Sequence, residues 1–161
     1  MKPLFNRFCH RSQRGSIAVE AAVCIPILIL FLVVPLFFAR VFWYYSVAQK
    51  AAHDAARYLA TATRVEMTTL GANDSDAPVA ALAKAIVLAE TDEIRPVLDA
   101  RTISVQCDLD VCGWGPPQKV RVSVRLRVSD NIFGAITNDI YMVNGQGINL
   151  YADVTMGYAG R

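Results

Sequence analysis

From Ser16 to Ala39 the chain reads SIAVEAAVCIPILILFLVVPLFFA, a run of 24 residues with one charge, Glu20, before Arg40 closes it. A helix of that length covers roughly 36 Å at about 1.5 Å per residue, enough to cross a hydrocarbon core of about 30 Å with some tilt. Pro26 and Pro35 do not forbid it. Each removes one backbone donor and favours a kink, a defect that neighbouring helices or local adjustment absorb in membranes. The chain of 161 residues is 54% hydrophobic, high for a soluble protein with room for one modest domain, so apolar surface must lie outside an ordinary core. A transmembrane helix over residues 16–40 accounts for it.

A secretory signal peptide shares this outline of basic start and apolar stretch. The run is longer than the usual apolar core of about 7 to 15 residues, and Phe37-Phe38-Ala39-Arg40 at its end offers no small-x-small cleavage site. Lys2, Arg7, Arg11 and Arg14 precede the run with no acid among them, whereas only Arg40 and Lys50 follow it closely. That asymmetry predicts a cytoplasmic N-terminus and an exported C-terminal domain. Trp43, Tyr44 and Tyr45 then fall where an outer-interface aromatic belt forms. The formal charge of +2 becomes −2 once the four leader cations are subtracted. The remainder therefore lacks the basic excess of a nucleic-acid-binding domain, and no nucleic acid is expected as a partner.

Glu20 has two readings. A carboxylate in an apolar helix costs up to about 2.5 to 3.5 kcal/mol at the bilayer centre and less near the cytoplasmic end, so a shallow acid that snorkels is one. The other is an acid that pairs with a cation inside a helical assembly and recovers part of its desolvation cost there. The cysteines divide similarly. Cys9 lies in the basic tail and Cys24 in the apolar run, and only Cys107 and Cys112 are near neighbours. In an exported domain those two form a disulfide closing a small loop; in a reducing compartment they stay thiols.

The words Arg14-Gly15-Ser16-Ile17-Ala18-Val19-Glu20 resemble a type IV prepilin signal, in which a short basic leader precedes a glycine, a cleavage site and an apolar helix with glutamate as its fifth residue. Counted from Ser16, Glu20 is fifth. The continuation through Ala21-Ala22-Val23-Cys24-Ile25-Pro26, the alanine-rich stretch Ala48 to Ala62 with Ala55-Ala56-Arg57-Tyr58, and a closing Asp153-Val154-Thr155-Met156 strand resemble the TadE-like minor pilins of tight-adherence (Flp, type IVb) pili. The resemblance implies a leader over residues 1–15 removed by a prepilin peptidase after Gly15. It also implies residence in the inner membrane or, after processing, in a pilus, with other pilins, assembly-platform proteins and membrane lipid as partners. Cleavage creates an ammonium on Ser16 one helical turn from Glu20, and in pilins that glutamate meets the amine of a neighbouring subunit. Major Flp pilins are much shorter and follow the glutamate with tyrosine. Ala21 and a sizeable domain here point to a minor, pseudopilin-like subunit.

The expected exported domain, residues 41–161, begins helically. Val47, Ala51, Ala55, Tyr58, Leu59 and Ala62 recur near one helix face through about Thr63. His53 and Asp54, adjacent in sequence, are expected to point apart. Gly71-Ala72-Asn73-Asp74-Ser75-Asp76 marks a turn and not a calcium loop, lacking the glycine and terminal glutamate of an EF-hand. Asp76 is the expected N-cap of a helix with Pro78 in its first turn, running to about Glu90 and packing through Val79, Leu82, Ala83, Ile86 and Val87. Beyond Arg95-Pro96 the period becomes two: Ile103, Val105, Cys107, Leu109 and Val111 predict one strand, Val120 to Val128 a second, and Ile148 to Met156 a third. An irregular connection is expected from Asp130 to Gly147. The fold class is α+β, a long N-terminal transmembrane helix continuing into helices packed on an antiparallel sheet.

In the second strand the alternate residues Lys119, Arg121, Ser123, Arg125 and Arg127 make a cationic stripe. It is either an interaction surface for an acidic partner or a solvated sheet face. Trp114, in the turn Gly113-Trp114-Gly115-Pro116-Pro117, is either a contact for another subunit or a lid on the core. No enzyme is expected. The two histidines, His10 and His53, fall on opposite sides of the membrane segment, and no nucleophile, phosphate-loop, dinucleotide or zinc-protease pattern occurs. Asp108 and Asp110 are expected on the polar strand face as a solvated pair. Neither metal nor cofactor is implied. A functional alternative to the pilin is an uncleaved single-pass envelope protein with an extracytoplasmic binding or sensing domain.

Overall fold

The computed structural model describes residues 14–71, 77–108, 110–129 and 148–160. The chain divides into two compact units, Met1–Ala39 and Arg40–Arg161. Helix α1, Arg14–Thr61, runs for 48 residues with Pro26 and Pro35 inside it. Within the first unit it is long and apolar enough to cross a membrane, and Ile17, Val23, Leu28, Phe31, Leu32 and Leu36 are all exposed along it. Side chains apolar on every face of a helix have no core to enter in water, so lipid is their natural surrounding.

From Arg40 onward the same helix becomes one-sided. Tyr44, Val47, Ala48, Ala51, Ala52, Ala55, Ala56, Leu59 and Ala60 are buried, while Ser46, Lys50, His53 and Arg57 are exposed. The buried set recurs at three- and four-residue spacing, which draws an apolar stripe down one side. Tyr44 thus belongs to the core of this unit. Its hydroxyl accepts a hydrogen bond from Arg40 Nε at 2.5 Å, and of the expected aromatic belt only Trp43 and Tyr45 remain exposed. The orphan carbonyls at the end of α1 are taken up by the segment after the last strand. Ala159 N–H donates to Ala60 O and the Tyr158 hydroxyl to Ala62 O, both at 2.9 Å.

A short helix, α2 (Arg64–Thr68), follows under a capping box. The Thr63 hydroxyl accepts from Glu66 N–H at 3.4 Å, and Glu66 reaches back to Thr63 N–H at 2.7 Å. The Thr-x-x-Glu spacing that announces this motif is present in the sequence as Thr63 to Glu66, although a helix of five residues is too short to show an apolar period. Helix α3 spans Pro78–Glu90 with Ala77 as its N-cap and no side-chain cap; Asp76, expected in that role, lies outside the described residues. Its packing face is Val79, Ala80, Ala83 and Val87, whereas Leu82 is 50% exposed. The buried face is centred between Ala80 and Ala83, which turns Leu82 away from the core. A 3₁₀ turn, Asp92–Val97, leads to the sheet.

Strands β1 (Leu98–Cys107), β2 (Lys119–Val128) and β3 (Ile148–Gly157) form an antiparallel sheet in the order β1-β2-β3, so the fold is α+β. Strand β2 follows its two-residue period throughout, with Val120, Val122, Val124, Leu126 and Val128 buried. Opposite them on the same face stand Val105 and Ile103 of β1 and Leu150 and Ala152 of β3. Burying a side chain such as Leu126 or Leu59 completely contributes about 1.5–3 kcal/mol. Arg101 shares this inner face, opposite Leu126. It reaches the end of α3, donating to Leu88 O at 3.4 Å and Thr91 Oγ1 at 3.3 Å, where a cation suits the helix dipole. Strand β1 ends at Cys107 and not beyond Val111, because Asp108 takes a positive φ of 53° and breaks the alternation. The connection expected from Asp130 to Gly147 lies outside the described residues.

The alanine stripe leaves no room for larger side chains. Ala55→Leu should lower the stability of residues 40–161 by about 1–3 kcal/mol in thermal or urea unfolding, while Arg57→Gln on the exposed side should change it by less than about 0.5 kcal/mol.

Candidate functional site

Three groups of residues bear on function. Gly15, Ser16 and Glu20 occupy the first turns of α1, where Arg14 and Gly15 are already helical and Glu20 is exposed. Ser16 and Glu20 stand four residues, about one helical turn, apart in α1.

The outer face of the sheet carries the expected cations, and the structure gives several of them partners. Arg121 is opposite Thr155 and diagonal to Asp153 across the β2–β3 ladder. Its Nε lies 2.9 and 3.0 Å from the two carboxylate oxygens of Asp153, and its Nη2 lies 2.5 Å from Oδ2. The Ser123 hydroxyl donates to the same carboxylate at 2.9 Å. Arg125 stacks over the Tyr151 ring at 4.7 Å, and Arg127 Nε approaches Asn149 Oδ1 at 3.4 Å. These cross-strand pairs hold the polar register of β2 on β3. Lys119 and Arg121, with Asp108, Gln118 and Thr155, line an open cleft of about 550 Å³ at the end of the sheet.

That end is closed by a tied loop. Cys107 and Cys112 are joined by a disulfide, with Cα atoms 5.0 Å apart. Cys107 N–H donates to Asp110 O at 2.8 Å, and Asp110 N–H returns to Cys107 O at 3.1 Å. The Asp108 carboxylate accepts the backbone N–H groups of Gln118 and Lys119, each at 2.7 Å. Asp110 accepts from Val111 N–H at 2.8 Å. The two aspartates therefore serve the turn and do not sit side by side on a strand face as expected. Gly113, at φ 118°, lies so near Leu70 and Ala77 that an added Cβ would come within 3.0 Å and 3.2 Å of them. This scaffold presents Trp114 at 80% exposure, so the tryptophan is no lid on the core. His53 and Asp54, expected to diverge, approach to 3.7 Å on the exposed side of α1. Among the described residues no cluster of histidine, cysteine or acid is arranged to hold a metal.

The hydrogen bonds and charge of Arg121 hold the Asp153 carboxyl below its ordinary range against the opposing effect of desolvation, with Ser123 adding to them. The Thr63 backbone and hydroxyl hold Glu66 down likewise. A carboxylate depressed in the folded state adds stability above its unfolded pKa of about 4, and that stability is lost as pH falls through the folded value. Stability should therefore decline on acidification below about pH 4. Asp153→Asn should flatten part of that decline in unfolding midpoints measured from pH 6 to 2, leaving the share that belongs to Glu66.

No curated protein and no solved structure matches the chain. Residues 15–57 match the family model described as TadE-like protein, and the segment from Gly15 to Arg57, which begins at the glycine and takes in Glu20 and most of the alanine stripe, is TadE-like.

Proposed function

We propose that the chain is a minor pilin, or pseudopilin-like subunit, of a type IVb (Tad/Flp) pilus, inserted with its N-terminus in the cytoplasm and cut after Gly15 by a prepilin peptidase. The TadE-like segment at residues 15–57 carries this reading and supports a component associated with a Tad pilus. An apolar helix able to span a membrane, with a glutamate as the fifth residue after a glycine, supports the processed and assembled form. In that form the Ser16 ammonium of one subunit neutralises Glu20 of another in surroundings of low dielectric. A carboxylate left without its partner there is penalised, so the pair selects helix register.

The folded remainder stays outside the inner membrane and acts through contact, with other pilins and assembly-platform proteins as partners and no catalytic chemistry of its own. An oxidising location suits the Cys107–Cys112 bond. The exposed faces bearing Lys119, Arg125 and Trp114 are the surfaces left for such contacts.

Intact mass and N-terminal sequencing of protein extracted from membranes of cells that hold a prepilin peptidase should give Ser16 as the first residue. A mature chain still starting near Met1 would leave the uncleaved envelope protein as the better reading. Glu20→Ala should leave cleavage within about twofold of normal and reduce piliation by tenfold or more, on the order expected for loss of a charge pair of more than about 1.4 kcal/mol. Unaltered piliation would remove the pairing role.

A further inference from the structure

Helix α3 is apolar on the side that faces away from the core as well as on the side that enters it. Val79, Ala80, Ala83 and Val87 are buried. Ala81, Ala85 and Ala89 are exposed, and Leu82 and Leu88 are 50% and 38% exposed. At about 100° per residue these five fall within roughly 60° of Ala85, so they make one continuous stripe about 12 Å long with no charge on it. The charges of the helix, Lys84 on one flank and Glu90 at its end, lie off this stripe, and an apolar helix face is ordinarily covered.

The order of side chains along the stripe identifies what covers it. Read from Ala85 in either direction, the exposed residues are leucine at three positions and alanine at four: Leu82 and Ala81 one way, Leu88 and Ala89 the other. An isologous two-fold contact requires this self-complementarity, since whatever residue i meets must meet residue i in return. In an antiparallel pair centred on Ala85, Leu82 of one copy lies over Ala89 of the second, and Leu88 lies over Ala81. Each large side chain thus meets a small one, and the central alanines let the helices approach closely. We propose that this outer face of α3 is a homotypic interface between two copies of the chain, formed by antiparallel two-fold packing about Ala85.

Five side chains offer far less than the roughly 800 Å² per partner of a standard stable complex. The pair is accordingly weak between dissolved domains and populated where a membrane anchor confines both copies and raises their effective concentration. The inference stands on the face of α3 and does not depend on cleavage or piliation.

The test uses the full-length protein in membranes with Cys9→Ser and Cys24→Ala, the Cys107–Cys112 bond kept, and mild oxidation read on non-reducing gels. Ala85→Cys should give a disulfide-linked dimer. Ala81→Cys alone should stay monomeric, yet link when co-expressed with Ala89→Cys. Adding Leu82→Lys to Ala85→Cys should reduce the dimer roughly tenfold by placing charge on an apolar contact. A monomeric Ala85→Cys chain overturns the proposal. So does Ala81→Cys linking to itself as readily as Ala85→Cys, which indicates parallel or random contact, and so does an adduct with a different protein. Unfolding midpoints unchanged by Ala85→Cys show that the fold is intact in each arm.

Discussion

The alanine stripe of α1 and the apolar face of the sheet share one core, and the second unit is arranged around it. Ala48, Ala51, Ala52, Ala55 and Ala56 lose all exposure, so the small-residue face of the helix is fully covered by that core. At the end of the stripe the segment after β3 reaches the helix backbone, with Ala159 N–H donating to Ala60 O. Helix α3 and the buried chains Met67 and Ile94 complete the same core. A larger residue in the stripe would push the helix off the core and away from the segment after β3 that bonds to its end, so packing and hydrogen bonding fail together.

With one face of the sheet committed to that core, the other is left to polar cross-strand pairs. Strand β2 lies between two neighbours, and a one-residue slip of β3 along it would turn Tyr151 and Asp153 toward the core and Leu150 and Ala152 toward solvent. Arg121 with Asp153 and Arg125 with Tyr151 oppose that slip on the β3 side. On the β1 side the register is set at the strand's end, where Asp108 ties the backbone of Gln118 and Lys119 and the disulfide shortens the reach of the turn. The cations on this face are thus partly structural, and their net attraction for an acidic partner is smaller than their number suggests.

Much of this was legible because it follows from periodicity. Strand β2 alternates without exception, and the transition in α1 is visible as the point where charged residues first recur at helical spacing. Misreadings arose where one residue overrides a pattern. The alternation through Leu109 and Val111 looks like strand until Asp108 adopts a conformation rare for anything but glycine, asparagine and aspartate. The packing face of α3 was misplaced because two opposite sides of that helix are apolar, and periodicity cannot choose between two apolar faces. Tyr44 was assigned to an interface by its neighbours, although its spacing to Val47, Ala48 and Ala51 marked it for the core. The segment Gly15 to Glu20 was legible only through likeness to a family, since a shallow acid and a register device look the same to composition.

The central claim is that α1 serves two surroundings: up to Ala39 its apolar side chains other than Phe37 are mostly exposed, as suits a membrane, and from Arg40 on it makes a one-sided contact with the folded unit. Single cysteines placed along α1 in an otherwise cysteine-free N-terminal half, labelled in spheroplasts by a membrane-impermeant maleimide, measure this directly. The account predicts no labelling at positions such as Leu28 and Phe31, then labelling at Ser46, His53 and Arg57 with Ala48, Ala52 and Ala55 protected. Labelling within the apolar stretch, or equal labelling of both sides beyond Arg40, would contradict it.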